Sequence, residues 1–213
     1  MLPKGSAGRM TAGLVAAMVL IFAIGCESTS DDATPPSGDG SGRLTSTEAG
    51  EPTDPGSCDG PIGAKPVDHV RVPEGATCRL DGTRVDGNIS VGHGATLVAR
   101  GVTVDGDVEA EGARSVEVSH GSHIGGNVQG QRGGSVLVTS SRIDGDLAWE
   151  ELSGRLIAQG NAVGGNLEAD RNSGPVTIAG NKVDGDLTCE ENHSVRGGRN
   201  TVRGNRESQC HRL

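Results

Sequence analysis

The chain of 213 residues has almost no aromatic side chains: one Phe, one Trp and no Tyr. A core built on large rings is therefore excluded, and so is a sugar cleft floored by several aromatic platforms. Apolar residues make up only 33% of the sequence, so any core is thin and aliphatic. Basic residues are also in deficit. The 19 Lys and Arg face 28 Asp and Glu, and the net charge of −9 has the wrong sign for a general nucleic-acid binder. No G-x-S-x-G elbow, P-loop, H-E-x-x-H or C-x-x-C occurs, which removes the commonest sequence-readable hydrolase, nucleotide and redox sites. What is abundant is glycine, 36 residues, far too many for a helical bundle.

The N-terminus carries address information. Lys4 and Arg9 precede an uncharged apolar run over residues 11–25, shorter than the roughly 20 residues that span a bilayer. Residues 1–25 therefore read as a signal peptide. The run ends in Ala23-Ile24-Gly25-Cys26, which resembles the lipobox of bacterial lipoproteins. That resemblance implies a lipidated Cys26 at the mature N-terminus and an extracytoplasmic chain held to the membrane by acyl chains. Residues 26–57 follow as a linker rich in Ser, Thr, Gly, Pro and Asp, with seven acids and Arg43 as the one base. Without periodic apolar positions such a segment cannot offset its ordering entropy, so it is expected to be disordered.

From residue 58 the sequence repeats every 19 to 20 residues. Seven glycines, Gly87, Gly106, Gly126, Gly145, Gly165, Gly185 and Gly204, each precede an Asn or Asp. Those residues are Asn88, Asp107, Asn127, Asp146, Asn166, Asp186 and Asn205, alternating amide and acid. A β-branched residue stands two positions before each glycine, from Val85 through Val202, and a further apolar column runs from Leu97 to Val195. Three short strands with tight corners close one coil of this length. The pattern predicts an all-β, single-stranded parallel β-helix of about seven coils spanning 58–213, with coils stacked at about 4.8 Å. Leucine-rich repeats share the period but need several leucines per unit and an Asn ladder, and neither is expected here. The glycine column is expected to supply positive φ at a corner, and the Asn/Asp column a polar ladder. In that ladder each amide separates two carboxylates and donates to both. The glycine-rich nonapeptide of calcium-binding β-rolls is absent, so no metal or cofactor is expected.

The V-x-G-[DN]-[VIL] unit, as in Val104-Asp105-Gly106-Asp107-Val108 and Ile143-Asp144-Gly145-Asp146-Leu147, resembles the repeat of bactofilins over about residues 69–206. The resemblance implies stacked β-helical coils and end-to-end polymerisation. The chain departs from that family in its signal peptide and its cysteines.

Cys58 and Cys78 are 20 residues apart and Cys189 and Cys210 are 21 apart, each close to one period. Residues one coil apart lie within disulfide range, so the pairs Cys58–Cys78 and Cys189–Cys210 are predicted to close the two ends. The six histidines are scattered, and Trp149 falls in an inward column. Arg196, Arg199, Arg203, Arg206 and Arg212 form one cationic cluster, read as a polar cap on the last coil. Carboxylates recur with the repeat instead of forming an asymmetric catalytic pair. The expectation is a non-enzymatic, membrane-anchored surface lipoprotein that displays a solenoid to a cell-envelope polymer or protein, and no nucleic acid. The rivals are a β-helix-type polysaccharide-processing enzyme and a bactofilin-like self-assembling scaffold.

Overall fold

The computed structural model describes residues 56–213; the candidate signal peptide, Cys26 and linker residues 27–55 lie outside the described residues. Every regular element among the described residues is a short strand. The strands assemble into three eight-stranded sheets in which all pairings are parallel. The chain visits the sheets in rotation, so each circuit adds one rung to each of three faces. The first face holds the longest strands, such as Thr77–Asp81, Thr96–Arg100 and Ser135–Thr139. The second holds two-residue strands from Pro66–Val67 to Thr201–Val202. The third runs from Val70–Val72 through Leu147–Glu150 to Arg206–Ser208. This is a parallel β-solenoid, the all-β architecture expected from the repeat.

Eight rungs are present where the glycine column suggests about seven. The additional rung consists of Pro61–Ile62, Pro66–Val67 and Val70–Val72. Its second corner carries Asp68-His69 where later rungs carry Gly-Asn or Gly-Asp, so the motif does not mark it. What the rung needs is inward aliphatic residues and backbone pairing, and Val67, Val70 and Val72 supply the former. Seven rung spacings give an axial length of about 34 Å.

Side chains alternate in and out along the strands up to the last rung, where Arg206–Ser208 is exposed throughout. Inward columns run through Leu97, Val116, Val136, Leu156 and Val176 on the first face and Val104, Ile124, Ile143 and Val163 on the second, all buried. On the third face Gly130, Trp149 and Ala169 are consecutive neighbours. The indole of Trp149, 1% exposed, thus sits between the two smallest side chains of its column. Its size is absorbed by its neighbours, and it is a core residue as expected. Its Nε1 is the one buried side-chain polar atom among the described residues without a hydrogen-bond partner.

Two of the three corners carry buried amides that the glycine–Asn/Asp motif does not mark. At the first corner Asn161, Asn181 and Asn200 stack on successive rungs, each at most 6% exposed. The backbone N–H of Asn161 donates to Asn181 Oδ1 at 3.0 Å, and that of Asn181 to Asn200 Oδ1 at 2.9 Å. Their Nδ2 groups donate to the carbonyls of Val138, Ala158 and Ile178 at 2.7, 2.9 and 3.1 Å. At the third corner Asn172 and Asn192 repeat the arrangement, and Gln209 ends it by accepting from Asn192 N at 2.9 Å. An Asn ladder is therefore present, contrary to expectation. A corner must turn its backbone inward, and a buried N–H or C=O there needs a partner that a Val or Ala cannot offer.

Candidate functional surfaces

The exposed ladder lies at the second corner. Asp107 N donates to Asn88 Oδ1 at 3.0 Å, Asn127 N to Asp107 Oδ1 at 2.7 Å, and Asp146 N to Asn127 Oδ1 at 2.8 Å. The series continues with Asn166 N on Asp146, Asp186 N on Asn166 and Asn205 N on Asp186, at 2.6, 2.9 and 2.6 Å. Each side chain thus caps the backbone of the rung above, a task either an acid or an amide performs. Amides donating to both flanking carboxylates, as expected from the alternation, are not the rule. Among the described residues one such bond joins two ladder side chains, Asn127 Nδ2 to Asp107 Oδ1 at 3.1 Å.

The reason for the glycine column also differs from expectation. Positive φ occurs at the other two corners, for example at Gly101 and Gly160 at the first and Gly94 and Gly112 at the third, and not at Gly87, Gly106, Gly126, Gly145, Gly165, Gly185 or Gly204. These seven are glycines because of close approach. A Cβ on Gly106 would land on Asn88 Oδ1, one on Gly126 on Asp107 Oδ1, and one on Gly165 on Asp146 Oδ1. The ladder oxygen of the rung below occupies the space. Only Gly87 differs, meeting the Asp68 carbonyl at 2.8 Å, because the first rung has His69 at the ladder position. Gly165→Ala should therefore cost about 1–3 kcal/mol, the usual range for forced overpacking, measurable as a lower thermal midpoint. An unchanged midpoint would remove this steric explanation.

Both predicted disulfides are present, with Cα–Cα distances of 5.4 Å for Cys58–Cys78 and 5.2 Å for Cys189–Cys210. They are not rungs of the ladder, however. Register pairs Pro61 with Arg79, a step of 79 − 61 = 18, while the first disulfide spans 20. At the other end Cys189 pairs with Ser208, a step of 208 − 189 = 19, while the disulfide spans 21. Each bond runs two residues off register, so Cys58 and Cys210 fold over the open ends of the barrel. All four sulfurs belong to residues no more than 2% exposed. Disulfides of this kind indicate an extracytoplasmic environment.

The outward surfaces differ between faces. The second face displays Arg84, Thr103, His123, Arg142, Ala162, Lys182 and Thr201 in register, bordered by aspartates. Arg84 bridges Asp86 and Asp105 at 2.7 and 2.6 Å, and Asp144 meets both His123 at 2.9 Å and Arg142 at 2.7 Å. The hydrogen bond from His123, helped by Arg142, holds the Asp144 carboxyl below its ordinary pKa.

The third face is acidic. Glu150, Asp170 and Glu190 are direct cross-strand neighbours, with Glu168 beside Asp170. Burial raises the pKa of both Glu168 and Asp170; Asp146 and Asp170 add to it at Glu168, and Glu190 and Glu150 at Asp170. A raised folded-state pKa means the native chain holds the proton more tightly than the unfolded one. The penalty for ionisation is present at neutral pH and fades as pH falls through the raised value. Asp170→Asn keeps the Oδ1 acceptor for Glu190 N and removes the central charge. It should stabilise the fold by about 0.5 kcal/mol at pH 7, a gain that shrinks in denaturation series at acidic pH.

Toward the N-terminal end of the same face lies a shallow groove of about 620 Å³. It exists because Ser90 and Gly92 are small and sit between Arg71 and Pro73 on one rung and Glu109 and Glu111 on the next. Gln129 and Gln131 complete its far wall. Among the described residues no cluster of three or more His, Cys, Asp or Glu is arranged to hold a metal ion.

Fold and surfaces together define the described part of the chain as a disulfide-closed parallel β-solenoid. Comparison with known protein families, with curated proteins and with solved structures gives no match.

Proposed function

We propose that the protein is a non-enzymatic, membrane-anchored display rod: a lipidated Cys26, an acidic tether and a rigid solenoid that presents its faces to a partner in the cell envelope. The supporting observation is the pair of off-register disulfides that fold Cys58 and Cys210 over the solenoid ends. Terminal rungs expose apolar interior and strand edges, and lids of this kind keep them from associating outside the cytoplasm. The same lids weigh against a bactofilin-like filament built by end-to-end stacking.

Growth of producing cells with a clickable fatty acid tests the anchor. The wild-type chain should become labelled and partition with membranes, and Cys26→Ala should lose both properties. Labelling that survives Cys26→Ala would contradict the proposal.

A second reading, a polysaccharide-processing enzyme, draws support from the groove with Glu109 and Glu111 on the third face. Release of reducing or unsaturated ends from cell-wall or plant polysaccharides, with and without calcium, would favour it over the display rod.

A further inference from the structure

The outward surface of the first face changes character along the rod. In its N-terminal half the charges are mixed: Arg79 and Asp81 share a strand, and Arg100 pairs with Glu117 at 3.3 Å. Further on, three successive rungs carry no Asp or Glu over residues 153–163, 173–183 and 193–203, which cover the first face, the corner after it and the second face. The same stretches carry Arg155, Lys182, Arg196, Arg199 and Arg203. Of these, only Arg203 has a carboxylate partner among the described residues, Asp184 at 3.2 Å. Arg155, Lys182, Arg196 and Arg199 are exposed. Ile157 and Thr177 stand in register with Arg196 and leave the surface between the cations flat and neutral. The third face of the first two of these rungs has the opposite sign, with Glu168, Asp170 and Glu190. Burial raises the pKa of Glu168 and Asp170, and the neighbouring carboxylates add to the shift. Over those two rungs the rod is split lengthwise by charge.

Solubility alone does not call for such a strip. Elsewhere on the rod Arg84, Arg100, Arg132, Arg142 and Arg171 each contact a carboxylate, a mixed arrangement that serves solubility. Uncompensated guanidinium groups repel one another unless a polyanion lies across them, and their forks match phosphate oxygens in bidentate fashion. The strip covers two rung spacings, about 10 Å, and turns a corner, which is more than one small anion can bridge. A planar anionic surface broad enough to take the first face would also press on Asp81 and Glu117, whereas a linear polymer can stay on the strip.

We propose that the strip formed by Arg155, Lys182, Arg196 and Arg199 is a docking surface for a phosphate-bearing anionic polymer. This deepens the display-rod reading by naming what the rod holds, and it rests on that reading for its setting at the cell envelope.

The test titrates the full chain, in neutral detergent, with long-chain inorganic polyphosphate over a salt series. Binding should weaken with salt. Arg196→Gln combined with Arg199→Gln should lower affinity about tenfold and reduce the logarithmic salt slope by about 1 to 2. Arg84→Gln combined with Arg100→Gln should leave binding unchanged, and both variants should melt near the parent midpoint. Binding at low salt that is indifferent to Arg196 and Arg199, or no binding at all, would overturn the proposal. So would arginine-dependent binding to phosphatidylglycerol vesicles without binding to polyphosphate. None of these failures affects the fatty-acid labelling of Cys26, so the two readings fall separately.

Discussion

Replacing Asn181 with leucine should lower the stability of the solenoid by about 3–5 kcal/mol, measured by urea unfolding followed by circular dichroism. The side chain is of similar size, so the loss is polar and not steric. Asn181 Oδ1 accepts from the N–H of Asn161 at 3.0 Å and from its Nδ2 at 3.1 Å, and its own Nδ2 serves Ala158 O at 2.9 Å. All three asparagines of the stack are buried, so the abandoned groups find no water. The same replacement at Asn88, exposed at the start of the second-corner ladder, removes one 3.0 Å bond whose donor can turn to solvent, and should cost only about 1 kcal/mol. A loss below 1 kcal/mol at Asn181 would mean the interior ladder is not a principal stabiliser.

Opening Cys189–Cys210 by paired serine substitutions should cost about 3 kcal/mol, as expected for a closed loop of about 20 residues. Its effect should be local first. The final rung, Ser194–Gly198, Thr201–Val202 and Arg206–Ser208, has a neighbour on one side only and depends on the lid above it. Amide exchange should therefore accelerate in residues 194–208 before it does in the strands near Trp149. Opening Cys58–Cys78 should produce the mirror effect at the N-terminal rung. Loss of either lid exposes strand edges, so the reduced or substituted chain should also associate more at high concentration. Uniform exchange along the chain in the serine variant would show that the lid does not hold its own end.

The parts of this structure that repeat in identity were legible in the sequence. The β-branched column from Val85 to Val202, the aliphatic column from Leu97 to Val195 and the cysteine spacing specify three faces, inward registers and both disulfides. What escaped notice does not repeat in identity. The first-corner column reads Thr83, Val102, Ser122, Ser141, Asn161, Asn181 and Asn200. Only its last three members match, so the amide ladder is visible in sequence only as Asn at steps of 20 and 19. Thr83 serves the same corner differently, donating to the carbonyls of Ile62 and Gly63 at 3.0 and 2.9 Å. The first rung is hidden for a related reason, since Asp68-His69 replaces the marker pair. The glycine column is visible in the sequence but its cause is not, because a sequence displays a required glycine without displaying which atom lies against it. The charge division between faces could be read only after the register had assigned each Arg and Glu to a side.

The stacking itself is tested most directly by electron–electron distance measurements between pairs of spin labels on one outward column. Ser90, Glu109, Gln129, Ala148, Glu168 and Thr188 are successive register partners on the third face. Labels at Ser90 and Glu168 should be about 19 Å apart, and labels at Ser90 and Thr188 about 24 Å, growing by one interstrand spacing per rung. Distances that do not increase in proportion to the number of rungs would contradict a solenoid wound on a single axis.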